Sequence, residues 1–212
     1  MNDKAKGLII IYKKKQAEIK KRLAEFKNIG KKGNKKLFAE LCFCLCTPQS
    51  KAVNCNEAIR RIEASKDLFK GSSERIAKRL KGLVRFHNNK ARYIVEARKK
   101  FCNVGARCSV PLHQHSAQIR AWLVKNIKGL GMKEASHFLR NIGRGFDLAI
   151  IDRHILTNLK RYGAIEQIPE SISDKQYLII EEKMRKFSKV LNIPMAELDL
   201  VFWSSETGHI FK

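Results

Sequence analysis

Acidic residues are scarce in this sequence. Only 20 Asp and Glu stand against 44 Lys and Arg, a formal net charge of +24. That imbalance makes a polyanion the first partner to consider, nucleic acid ahead of an anionic membrane. No stretch reaches the roughly 18 consecutive apolar residues that a bilayer span needs. The run Leu8 to Tyr12 is followed at once by lysines and lacks a small-residue cleavage site, so it belongs to an ordinary helix. A cytosolic protein without a membrane partner is expected. No C-x-x-C occurs, which argues against a zinc site. Cys42, Cys44 and Cys46 alternate within an apolar segment, while Cys55, Cys102 and Cys108 are scattered. Reduced, mostly buried thiols are expected.

Strand-like alternation is also nearly absent, and so are long linkers and low-complexity tracts. What is present is helical spacing in a chain of 212 residues, long enough for one or two domains with a real core. Ile19, Leu23 and Phe26 mark one face, and "GKKGNKK" at 30–36 breaks the pattern. Leu37, Phe38, Leu41, Cys42, Leu45 and Cys46 follow at helical spacing, widened by Phe43 and Cys44 into a central helix that Pro48 ends. Further helices are expected near 54–64, 73–81, 89–101, 116–126, 132–142, 152–161, 174–191 and 195–204. The fold class is all-α.

Residues 128–143, "KGLGMKEASHFLRNIG", place two glycines immediately before a helix with a lysine in its first turn. Gly129 and Gly131 suit a tight turn with positive φ and close backbone approach. Ser116 is the expected N-cap of the preceding helix, lined by Ile119, Leu123 and Ile127. Small Ala135 lets the two helices approach, with the hairpin N–H groups directed at a phosphate. Lys133 then stands out. An amine attacks carbon only when neutral, and desolvation, nearby cations and a helix N-terminus all favour that form. Standing alone, in a chain so rich in lysine, it would sooner be a phosphate-neutralising or surface charge. It is followed by "DLAIIDRHIL", in which Asp152 suits an N-cap for a helix lined by Ile155, Leu156 and Leu159. A capping carboxylate is held rigidly and ionised, which also suits stabilising a developing cation. His154 could donate to a phosphate.

"GLGMKEASHFLRNIG" followed by "AIIDRHIL" resembles the helix-hairpin-helix DNA glycosylase superfamily, marked by a Gly/Pro-rich loop and a later Asp. Within it, the resemblance is to the small 8-oxoguanine DNA glycosylase/AP lyases of the second, largely archaeal type. It extends through "ELCFCLCTPQSKA", "RFHNNKARYIVEAR", "AELDLVFW" and the terminal "TGHIFK". Nothing after Cys108 is cysteine, so the four-cysteine iron–sulfur loop of endonuclease III-like relatives is missing.

The resemblance implies two helical subdomains flanking a DNA-binding cleft. One is a continuous segment of about 34–145 with the hairpin motif at about 116–142. The other joins 1–33 to 146–212. It implies that Lys133 attacks C1′ of the damaged nucleotide and Asp152 stabilises the oxocarbenium-like sugar, after the nucleotide is flipped from the duplex. Phe86 matches a wedge position and Gln49 a residue facing the orphaned base; otherwise they are a core phenylalanine and a helix-terminal glutamine. His137, Trp203 and the terminal Lys212 match positions that recognise the purine, where the alternatives are core filling and a frayed end. The expected substrate is duplex DNA containing oxidised guanine, handled by a monomer near the nucleoid. No catalytic metal or organic cofactor is expected, although hairpin carbonyls could hold a monovalent cation. The same fold acting on another damaged or mismatched base, or a non-enzymatic DNA-binding module, are the rival readings.

Overall fold

The computed structural model describes residues 3–101 and 110–212, and leaves Cys102 and Cys108 outside the described residues. Eleven α-helices and no strand occur among the described residues: α1 (Asp3–Gly30), α2 (Asn34–Cys46), α3 (Ala52–Ala64), α4 (Asp67–Lys70), α5 (Ser73–Leu80), α6 (His87–Phe101), α7 (Ser116–Asn126), α8 (Met132–Asn141), α9 (Arg153–Arg161), α10 (Asp174–Leu191) and α11 (Met195–Thr207). Local chemistry accounts for several boundaries. Ser173 caps α10 in a reciprocal box with Gln176, and Asn192 ends that helix in the left-handed region. Ser72 caps α5 through the Arg75 N–H.

The helices build two hydrophobic cores. The first draws on buried residues from Leu37 to Leu148, with α2 at its centre packed against α3, α6 and α8. Every residue of α2 from Leu37 to Cys46 is buried. Its cysteines, like Cys55, are buried, and burial pushes the Cys55 thiol up to about 11. The second core joins α1 to the segment Ala149–Ile151, α9, α10 and α11. The chain thus passes from one core to the other between Leu148 and Ala149, three residues before Asp152.

Buried polar groups lock these cores together. Arg120 on α7 donates two hydrogen bonds to Glu181 on α10, at 2.6 and 2.8 Å, and a third to Ser136 on α8 at 3.1 Å. Glu181 also accepts the Ala149 N–H at 2.8 Å. Tyr177 donates to the Ala149 carbonyl at 2.8 Å and accepts the Ile151 N–H at 3.1 Å. The segment leading into Asp152 is therefore fixed relative to the hairpin that carries Lys133. Removing one partner of such a buried pair leaves the other charge uncompensated.

Two local expectations are corrected. The residue in the capping position of α7 is His115, not Ser116; Ser116 begins the helix and its hydroxyl donates to Asp147 Oδ2 at 2.6 Å. Only Gly129 has positive φ, at 91°, whereas Gly131 is extended at φ −94° and ψ −174°.

Candidate active site

A cavity of about 680 Å³ opens where the two cores meet. One wall is a single face of α8. Lys133, His137 and Arg140, spaced by four and three residues, all line it. The lining also includes Asp152 and His154 from the start of α9, with Asp199 and Trp203 from one face of α11. Gln49, in the turn after α2, and the terminal Lys212 line it as well.

Lys133 is the second residue of α8 and keeps 24% of its side chain exposed, so the amine has access to the cavity. Its Nζ lies 3.5 Å from Glu134 Oε1. The Glu134 carboxylate also reaches back to accept the Gly131 N–H at 3.3 Å. One of the hairpin donors expected to face a phosphate is thus engaged by an internal anion. Gly129 is required by its left-handed backbone, and a Cβ there would lie 2.5 Å from the Tyr93 ring.

Asp152 caps α9, its Oδ1 accepting the Ile155 N–H at 2.8 Å. That bond fixes the carboxylate at a helix N-terminus, where negative charge is favoured. The charges of Lys133 and Asp152 both act on Asp199, the former lowering and the latter raising its pKa. Asp199 is buried and paired with Arg140 at 2.7 Å. Burial, partly opposed by that guanidinium, still pushes its carboxyl up to about 6.

His137 is buried, with its ring edge-on to Phe43 at 5.6 Å. Burial, followed by the charges of Arg140 and Lys133, drives its pKa well below the ordinary value, so the ring is neutral. Neither ring nitrogen has a hydrogen bond of normal geometry, although the Lys212 backbone is near enough to oppose the shift slightly. A buried imidazole without partners, facing a cavity, is equipped to bond to an occupant.

Trp203 is only partly buried, edge-on to both His154 (6.4 Å) and His209 (5.9 Å), so it is not sequestered in the core. The Lys212 ammonium lies 3.1 Å from the buried Glu40 and 4.4 Å from the centre of the Phe43 ring. That end of the chain is anchored rather than frayed. Phe86 is 54% exposed with φ 55°, outside the cavity lining along with Gly129 and Gly131. Sequence reasoning overlooked Arg140 and Asp199. A helical step of three on from His137 would have pointed to Arg140, and the step of four that relates His137 to Lys133, taken back from Trp203, reaches Asp199.

Two helical subdomains meeting at a cleft, with a lysine after a Gly-turned hairpin and a capping aspartate lining one pocket, define a helix-hairpin-helix protein. The 8-oxoguanine DNA glycosylase family model matches residues 19–193, and the chain belongs to that family. It is 46% identical over 206 residues to the 8-oxoguanine DNA glycosylase/AP lyase of Fusobacterium nucleatum, covering 95% of this chain and 94% of that one. It is 40% identical to the enzyme of the same description from Methanocaldococcus jannaschii, covering 93% and 95%. Among solved structures, the 8-oxoguanine DNA glycosylase of Thermotoga maritima superposes with a TM-score of 0.87 at 35% identity, over 98% of each chain. The Methanocaldococcus jannaschii 8-oxoguanine glycosylase/lyase, in complex with a 15mer DNA containing 8-oxoguanine, superposes with a TM-score of 0.86 at 37% identity, over 97% of this chain and 99% of that one.

Proposed function

We propose that this chain excises 8-oxoguanine from duplex DNA and nicks the resulting abasic site, using Lys133 as nucleophile and Asp152 as the electrostatic partner. The observation that carries this reading is the pair's shared cavity, with the amine accessible and the carboxylate held by the α9 N-terminus. The neutral amine of Lys133 attacks C1′, and the N-glycosidic electron pair leaves with the base, which takes up a proton. Asp152 stabilises the positive charge that develops on the sugar in between. The attacking nitrogen gives up one proton, the C1′–O4′ bond breaks as O4′ takes up a proton, and the opened sugar is left as a protonated imine on Lys133. Loss of a C2′ proton then expels the 3′ phosphate by β-elimination, and water releases the enzyme. Neither a metal nor an organic cofactor enters any of these steps.

The remaining residues take binding roles. His137 and Trp203 hold the extruded purine, with Lys212 anchored beside them on Glu40. The hairpin at Gly129 and Gly131, together with His154, grips the phosphate backbone. Gln49 and Phe86 face the space that the flipped nucleotide leaves. The enzyme works as a monomer in the cytoplasm, next to the nucleoid. No described helix is long and apolar enough to cross a membrane.

Lys133→Gln tests the assignment. The variant should lose excision and nicking of an 8-oxoguanine duplex by about 10³-fold or more, while its affinity for the same duplex stays within a few-fold of wild type. Retained excision would reassign the nucleophile.

A further inference from the structure

Lys90 is a buried lysine that makes no ion pair among the described residues. Its three ammonium protons are nonetheless all used. They go to the Cys46 carbonyl at 2.7 Å, the Pro48 carbonyl at 2.6 Å and Ser50 Oγ at 3.2 Å. Cys46 is the last residue of α2, so the cation sits at the negative end of that helix. Pro48 and Gln49 form the middle of a turn that Ser50 closes by donating its N–H to the Thr47 carbonyl at 3.0 Å. Gln49, in the third place of that turn, has φ 54°. Glycine is the residue usually found there, and a glutamine adopts this backbone only under strain. By holding the Pro48 carbonyl, Lys90 stabilises the peptide orientation that forces Gln49 into it.

The same clamp reaches a second strained residue. Ser50 Oγ also accepts the Arg85 N–H at 3.0 Å. The next residue, Phe86, has φ 55°, and its carbonyl accepts the Lys90 N–H at 3.0 Å. Four non-glycine residues have positive φ among those described. Asn192 ends α10, and Lys66 and Phe86 stand immediately before α4 and α6. Gln49 and Phe86 are set apart by their linkage: both are exposed, on adjoining loops joined through one serine and one buried lysine. Strain held in place by an over-determined surrounding is a recurrent mark of a functional site.

We propose that Lys90, acting with Ser50, is a positioning residue for nucleotide extrusion: it sets Gln49 and Phe86 in their DNA-facing conformations before DNA arrives. This rests on reading the cleft as a glycosylase site. Lys90 itself touches neither DNA nor base. Its contribution is preorganisation, which spares the protein from ordering two loops at the moment the duplex opens.

The test compares two reactions of the full chain in the same duplex. One is single-turnover excision of 8-oxoguanine, which requires extrusion of a stacked base. The other is β-elimination at a preformed abasic site, where extrusion costs little. Lys90→Met should slow the first by about tenfold to a hundredfold and the second by no more than about threefold. Adding Phe86→Ala to Lys90→Met should cost little beyond either change alone, because both remove the same preorganised wedge. Ser50→Ala should show the same split more weakly, and Ser50→Thr, which keeps the hydroxyl, should restore wild-type rates. The serine pair decides the matter should Lys90→Met fold poorly. Equal losses in both reactions, full additivity with Phe86→Ala, or no loss at all would overturn the proposal. Wild-type protein inert on both substrates would sink the glycosylase reading itself, and this inference with it.

Discussion

Asp199 is the residue whose charge state is most exposed to experiment. Its carboxyl is displaced from 3.8 to about 6, with burial the largest cause. Between those values the folded chain carries a proton on Asp199 that the unfolded chain has released. Stability from this group therefore falls as pH rises through that window, by about 3 kcal/mol in all. Thermal unfolding of wild type and Asp199→Asn from pH 4 to 7 checks the sign. Wild type should lose stability relative to the variant as pH rises, and parallel curves would contradict the assignment. At this scale the sequence was informative about residue type and local spacing. Asp152 was legible as a cap because capping is a local interaction, and its bond to the Ile155 N–H is present. The unpartnered state of His137 was not legible, because it depends on Phe43 and the chain terminus, both remote in sequence.

The hairpin between α7 and α8 shows what two glycines do differently within one element. At Gly129, alanine would have to adopt φ 91° and place its Cβ 2.5 Å from the Tyr93 ring. Gly129→Ala should therefore cost about 2 kcal/mol or more. At Gly131 the backbone is extended, and an added Cβ meets only the end of the flexible Glu134 side chain at 3.3 Å. Gly131→Ala should change stability by less than about 1 kcal/mol. Denaturant unfolding of both variants distinguishes these outcomes, and equal losses would refute the geometric argument. Periodicity located the long helices closely: the bounds of α10 follow from Ser173, the apolar steps from Tyr177 to Leu191, and Asn192. It missed α4, whose four residues are too few to display a period. It also chose Ser116 over His115 at the start of α7, since residue preference carries no information about the partner Asp147.

At the scale of the whole molecule, the cavity exists because two cores are held in one relation. Arg120 and Glu181 do this from positions 61 residues apart, and so do Arg140 and Asp199, 59 apart. Neither pairing could be read from spacing, because only the folded chain brings those helices together. The motif around Lys133 and Asp152 was legible through its resemblance to a family. The cavity that joins the two to His137, Trp203 and Lys212 became visible only in three dimensions. The surplus of 24 positive charges suits a duplex laid against such a cleft. The most direct test of the central claim is borohydride reduction of the wild-type protein with an 8-oxoguanine duplex, followed by mass-spectrometric mapping of the trapped adduct. A single modified peptide with the sugar on Lys133 is expected. An adduct on another lysine, or none while the base is still released, would contradict the account.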